Sequence, residues 1–240
     1  MPLFNLAWKD HFFWDGRANS LRAQVLEPIE DPIEMHENLD TLPKKLMNSG
    51  YQQDFQKAFD SKEITTEKLS LALETFLLTL TSTNSKFDQA LKGKAELSKQ
   101  EQRGLELFYM EYEPKHGKRG ADCFHCHGGA LFSDFDFHDN GLGLGKDKGK
   151  GGVTGKAEDM GKFSTPSLRN IALTAPYMHD GRFQTLEEVV RHYSEGIKRT
   201  PNLSPNLAKH PTEGINLTKD DQAALVAFLK ILTDPKYLKK

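Results

Sequence analysis

Cysteine is scarce in this chain: two among 240 residues. No disulfide framework can be built from so few. Long apolar runs are missing too. The longest, Leu69 to Leu80, is interrupted by Glu74 and falls far short of the roughly 20 residues a membrane helix needs. Net charge is also small, −2 from 32 basic and 34 acidic residues, which argues against nucleic acid or an anionic membrane as partner. The first ten residues, Met1 to Asp10, lack a basic region followed by an apolar core, so they do not read as a signal peptide. Modest apolar content (37%) beside high charge (28%) fits small cores in one or two domains.

Both cysteines fall in one motif, Cys123-Phe124-His125-Cys126-His127. C-x-x-C-H is the attachment sequence of a c-type haem. Two thiols one turn apart each add to a porphyrin vinyl group, and the next residue, His127, supplies the proximal nitrogen to the iron. Three other readings compete. A structural zinc needs about four ligands in paired spacing, and His116 and His138 have no such partners. A thioredoxin-like pair expects a βαβ setting, and no strand pattern surrounds the motif. The third is a plain buried cysteine pair. Covalent haem attachment belongs to the periplasm or an equivalent compartment, so a periplasmic protein is expected.

Along the chain, residues 1 to about 40 read as irregular, with a short helix from Ser20 to Leu26, capped by Asn19 or Ser20 and stopped at Pro28. Helices follow at Thr41–Met47 (capped by Asp40) and Tyr51–Phe59. The strongest opens at Thr65 or Thr66, with Leu69, Leu73, Phe76, Leu77 and Leu80 at helical spacing, a stripe expected to pack in the core. Phe87 and Leu91 suggest one more short helix, and Lys92-Gly93-Lys94 a domain boundary. Ser98 with Glu101, and Thr185 with Glu188, form capping boxes; Thr218 caps a last helix bearing Leu225, Phe228, Leu229 and Leu232. The glycine-rich stretch after the motif contains Gly141 to Lys146, which lacks the full phosphate-loop pattern and is expected to be a mobile surface loop. The fold class is all-α with long irregular loops.

A series of motifs then resembles one family, the bacterial dihaem cytochrome c peroxidases and their relative MauG. It runs through Phe13-Trp14-Asp15-Gly16-Arg17, Gln24, Pro28-Ile29, Pro32-Ile33-Glu34-Met35, Cys123 to His127, Thr165-Pro166-Ser167-Leu168-Arg169-Asn170, Leu173 to Tyr177, His179-Asp180-Gly181 and Thr185 to Glu188. These lie in the family's order over nearly the whole chain. The departure is that the family carries two C-x-x-C-H motifs and this sequence one, so it resembles a member without the N-terminal first-haem segment. Residues 1–92 are then expected to be the remnant of one haem domain, and 93–240 a cytochrome c-like domain.

The resemblance implies residue roles. Cys123 and Cys126 hold haem c, and His127 is its proximal ligand. Tyr193 matches the position where peroxidases carry Met and MauG-like members Tyr; Met178 and His192 are the other candidates for the opposite face of the iron. A phenolate lowers the reduction potential and a thioether raises it. Trp14 matches the tryptophan that relays electrons between the haems. Gln24 and Glu34 match the peroxide pocket, where a carboxylate moves a proton between the peroxide oxygens. Thr174 and Pro176 match backbone-carbonyl calcium ligands. Arg169 and Asn170 either meet a haem propionate or fix their loop, and His179 is expected in a turn. The implied partners are hydrogen peroxide and a small redox protein or other electron donor; a homodimer is compatible. The implied activity is peroxidase-type oxidoreduction. A single-haem electron carrier and an inactive fragment with an exposed apolar face are the rival functions.

Overall fold

The structure, a computed structural model, describes residues 1–211 and 213–238. The chain divides into two compact units. One comprises Leu6–Phe13 with Arg17–Leu80; the other comprises Met1–Asn5, Trp14–Gly16 and Thr81–Lys240. Helices predominate in both.

In the smaller unit, α1 (Leu21–Gln24) starts at Ser20, whose Oγ accepts the Ala23 N–H at 3.1 Å. Pro28 does not stop this helix, which has already ended. Instead Pro28 lies in the first turn of α2 (Glu27–Glu30), where no intrahelical N–H is needed. Next comes α3 (Leu42–Asn48). Its N-cap is Thr41, one residue later than expected, because Asn38 Oδ1 takes the N–H groups of both Asp40 and Thr41 in a turn. After α4 (Gln52–Phe59), α5 (Thr66–Leu78) is capped by Thr65 Oγ1 and packs against α1 and α3. The core consists of Leu6, Phe12, Ala18, Leu21, Val25, Ile29, Phe55 and Ile64. The α5 stripe departs from expectation. Only Ser70 of this helix is buried, whereas Phe76 is 59% and Leu78 40% exposed. Helical spacing identifies an apolar face, but burial requires something to cover it.

The larger unit opens with α6 (Lys86–Leu91) and α7 (Lys99–Tyr109), each fixed by a complete capping box, Ser85/Asp88 and Ser98/Glu101. The units thus part near residue 80, and α6 belongs to the larger one, with Phe87 in its core. Next come β1 (Tyr112–Glu113) and β2 (Lys118–Arg119), an antiparallel pair, then α8 (Phe124–His127). β3 (Phe137–His138) pairs antiparallel with β4 (Phe163–Ser164), and α9 (Lys150–Thr154) lies between them in sequence. The remaining helices are α10 (Leu186–Glu195), α11 (Pro205–Ala208) and α12 (Lys219–Lys230).

Helix α7 crosses α12 in close contact. A Cβ at Gly104 would lie 2.0 Å from the Ala224 carbonyl oxygen, so only glycine permits this approach. Beneath the crossing, Phe87, Phe108, Phe132 and Phe228 form an edge-on aromatic cluster with centroid distances of 5.1–6.2 Å, a geometry that aromatic quadrupoles favour.

Buried polar groups fix the loops. Arg169 forks onto Asp88 at 2.8 and 3.0 Å and donates Nε to Ala130 O. Asn170 is fully buried and joins Ser82 to Asp234 through its side-chain oxygen. Of the two roles open to this pair, both side chains perform loop fixing. The glycine-rich stretch is also more ordered than expected at its start. Buried Asp139 accepts from Gly141 N and Thr200 Oγ1, and Gly141 O accepts from Lys198 N.

Candidate haem site

Helix α8 carries Phe124 to His127, with Cys123 at its N-cap, so one turn sets the two sulfurs and the imidazole side by side. Both thiols are free. Burial pushes the Cys123 thiol up to about 12, with Asp122 and Cys126 adding to the effect. His127 Nδ1 lies 3.1 Å from the Phe132 carbonyl. A carbonyl only accepts, so Nδ1 carries the proton and the lone pair is left on Nε2. Burial also lowers the basicity of this ring, which keeps it neutral, as a metal ligand must be.

Cys123, Cys126 and His127 line a cavity of about 210 Å³, more than ten times the ~10–15 Å³ that one water needs. The wall is mainly apolar and includes Phe108, Leu168, Val190 and Leu229. Trp14, Thr174, Pro176, Met178, His179 and Tyr193 also face it. Of the residues singled out from sequence, Trp14, Cys123, Cys126, His127, Thr174, Pro176, Met178, His179 and Tyr193 therefore meet in one place. His192 is not among the lining residues. Its Nε2 donates to Asn140 O at 2.9 Å instead. Gln24 and Glu34 belong to the smaller unit. Gln24 is buried with no partner for its Oε1 among the described residues, and Glu34 is exposed. His179 stacks flat on Phe163, with centroids 3.6 Å apart.

The two faces of Tyr193's surroundings differ. Burial raises the phenol's pKa, while a hydrogen bond with the Asn140 side chain lowers it in part. The same amide donates Nδ2 to Met178 Sδ at 3.5 Å. Sequence reading passed over Asn140, because Asp-Asn-Gly reads as turn chemistry. It also passed over His210, which is buried in the cavity wall. Asp122 Oδ2 lies 3.3 Å from His210 Nε2 and 2.9 Å from Lys209 Nζ. Neither ring nitrogen of His210 makes a hydrogen bond among the described residues, and burial lowers its pKa to about 4.

The residues fit a covalently held porphyrin. Two free thiols, an imidazole with an open Nε2, an apolar wall and an unsatisfied polar atom in that wall match an apolar macrocycle with a metal and acidic edge groups. A small metal ion fits less well. Cys126, Asp134 and His138 bring ligand atoms within 4.8 Å of one another, as do Glu111, Asp122 and His125. Each is a three-donor set with an ion pair already inside it: His138–Asp134 at 2.8 Å and His125–Glu111 at 3.2 Å. Structural zinc takes four ligands. No helix among the described residues is long and apolar enough to cross a membrane.

Comparison with known proteins bears on the family of the chain. A family model described as di-haem cytochrome c peroxidase matches residues 1–96. The chain is 38% identical over 236 residues to the methylamine utilization protein MauG of Methylorubrum extorquens, covering 96% of this chain and 63% of that protein. It is 31% identical over 243 residues to the cytochrome c551 peroxidase of Pseudomonas aeruginosa, again covering 96% and 63%. The chain thus spans a little under two thirds of the length of these relatives. Among solved structures it is similar to a MauG-like protein associated with microbial copper homeostasis, with TM-score 0.80, 33% identity and coverage of 99% and 76%. The diheme peroxidase BthA from Burkholderia thailandensis E264 shares the fold at TM-score 0.78 and 24% identity, over 95% of this chain and 67% of that one.

Proposed function

Because the chain belongs to the dihaem cytochrome c peroxidase/MauG family, we propose that it is a periplasmic c-type haem oxidoreductase that passes electrons through its Cys123–His127 haem to reduce hydrogen peroxide at a second haem site. The observation that carries this reading is the convergence of Trp14 and the C-x-x-C-H residues on one cavity. In this reading the larger unit, with Thr81–Lys240, is the electron-transferring haem domain, and the smaller, with Arg17–Leu80, corresponds to the peroxide-reducing domain of the family.

The bound haem supplies one-electron chemistry at its iron. The rest is the work of the chain. Cys123 and Cys126 tether the porphyrin, and the Phe132 carbonyl holds the His127 ring with Nε2 free. The apolar wall excludes water, which strengthens electrostatic effects inside. Tyr193 would ligate the iron of the bound haem, with Met178 as the alternative donor. Trp14, lining the same cavity and accepting from Ser164 N at 2.8 Å through its carbonyl, relays electrons. Glu34 moves the proton between the peroxide oxygens, and buried Gln24 orients it. Thr174 and Pro176 offer backbone oxygens to calcium. The donor is a small redox protein.

A second reading, a single-haem electron carrier, is favoured by one observation: the sequence holds one C-x-x-C-H. Peroxide turnover with a reduced donor separates the two. The peroxidase reading expects turnover that falls at least tenfold in Trp14→Phe with haem content unchanged. A haem-loaded protein that exchanges electrons readily but leaves peroxide untouched would establish the carrier.

A further inference from the structure

Asn140 stands at a crossing of contacts that the proposed chemistry has not used. It lines the same cavity as Tyr193, and its Nδ2 lies 3.5 Å from Met178 Sδ. A thioether accepts and never donates, so the nitrogen of the amide faces the sulfur. One candidate donor to the iron is thus held by a carboxamide that shares its cavity with the other.

That carboxamide is itself immobilised. Its backbone oxygen accepts from His192 Nε2 at 2.9 Å, one residue before Tyr193 on α10. The preceding residue, Asp139, is 4% exposed. Its carboxylate takes Gly141 N at 2.9 Å and Thr200 Oγ1 at 2.6 Å, and its carbonyl takes Ser204 N at 3.0 Å. The loop bearing Asn140 is therefore tied to three segments. Met178, by contrast, sits on a turn with its backbone at φ +70°, in the left-handed region that methionine seldom occupies. Its side chain needs a partner to fix its direction.

We propose that Asn140 is a positioning residue that selects the axial ligand, diverting Met178 Sδ from the iron and leaving it to Tyr193. This rests on the reading that the cavity holds haem c and that Tyr193 is its second axial ligand. A sulfur engaged by an amide N–H is held away from a competing acceptor and is a poorer donor. With the sulfur so engaged, the Tyr193 phenol on the same cavity is the donor left for ligation. The contact contributes a modest bias, so its loss shifts the Tyr-to-Met ligation ratio by up to about tenfold.

The test uses the full chain, loaded with haem in a host competent in cytochrome maturation. The readout is the ferric charge-transfer band that reports sulfur on the iron, together with the midpoint potential. Wild type shows no sulfur band. Asn140→Leu gains it and its potential rises. Asn140→Asp keeps the side-chain size and the backbone contact to His192 but cannot donate, and it gains the band as well. Asn140→Leu combined with Met178→Leu loses it again. A wild type that already shows the band overturns the proposal. So do Asn140→Asp and Asn140→Leu spectra identical to wild type, provided Tyr193→Phe alters the spectrum. If Tyr193→Phe leaves the spectrum unchanged, the underlying ligand reading has failed instead, and the proposal falls with it.

Discussion

The two compact units use similar helical raw material to different ends. In the larger, every long helix finds a partner: α7 meets α12 at Gly104, and four phenylalanines lock together beneath them. In the smaller, Ile33 is 92% exposed, Met35 68% and Phe76 59%. The larger unit holds its core and still leaves a cavity. Its polar anchors, Arg169–Asp88 and Asn170, fix loops that would otherwise collapse into that space. The smaller unit has enough core to fold its helices but leaves apolar side chains in contact with water. The difference teaches that the residues matched to haem attachment, Cys123, Cys126 and His127, lie together in the unit with the larger core, whereas those matched to peroxide chemistry, Gln24 and Glu34, lie in the unit with the thinner one.

Perturbations should expose this asymmetry. The largest effect is expected at the α7–α12 crossing. Phe228→Ala empties a site with no exposure and should cost about 3–5 kcal/mol, while Gly104→Val should prevent the crossing altogether. Denaturant unfolding followed by haem absorbance would check both, and a loss below 1 kcal/mol for Phe228→Ala would mean that the cluster is not the core.

Arg169→Met comes next. It leaves the buried Asp88 carboxylate without its fork and should cost about 3 kcal/mol or more. Burial by itself would raise the Asp88 pKa, but the hydrogen bonds from Arg169 and Ser85 outweigh it, and the net shift is downward. The folded state therefore binds this proton less readily than the unfolded one. The stabilisation is present above the unfolded carboxylate pKa of about 3.9 and fades as pH falls through the lower folded value. Asp88→Asn should flatten that acid limb of the stability curve, and an unchanged slope would contradict the assignment.

The smallest effect is expected in the smaller unit. Ile33→Ser and Phe76→Ser should each change stability by no more than about 0.5 kcal/mol, measured by thermal melting. A cost of 2 kcal/mol at either would show that these side chains are covered in solution, and the contrast between the units would dissolve.

Much of this was legible in the sequence, for identifiable reasons. Capping boxes at Ser98/Glu101 and Thr185/Glu188 are local chemistry and form as read. C-x-x-C-H is likewise local, because one helical turn sets its spacing. Pro28 misled because a proline that ends one helix also fits the first turn of the next. The α5 stripe misled because periodicity describes one face and says nothing about what lies opposite. Asn140 and His210 were hidden for a deeper reason. Each lies in a turn or loop, and each matters through residues 38 or more positions away, a pairing that no local pattern encodes.

The central claim is that one haem is bound covalently through Cys123 and Cys126. Intact mass spectrometry of the purified chain, read together with a haem assay per polypeptide, tests it most directly. The expected result is the polypeptide mass plus one haem, reduced to the bare polypeptide when both cysteines are replaced by alanine. A colourless wild-type protein with the mass of the bare polypeptide, from a host that matures other c-type cytochromes, would contradict it.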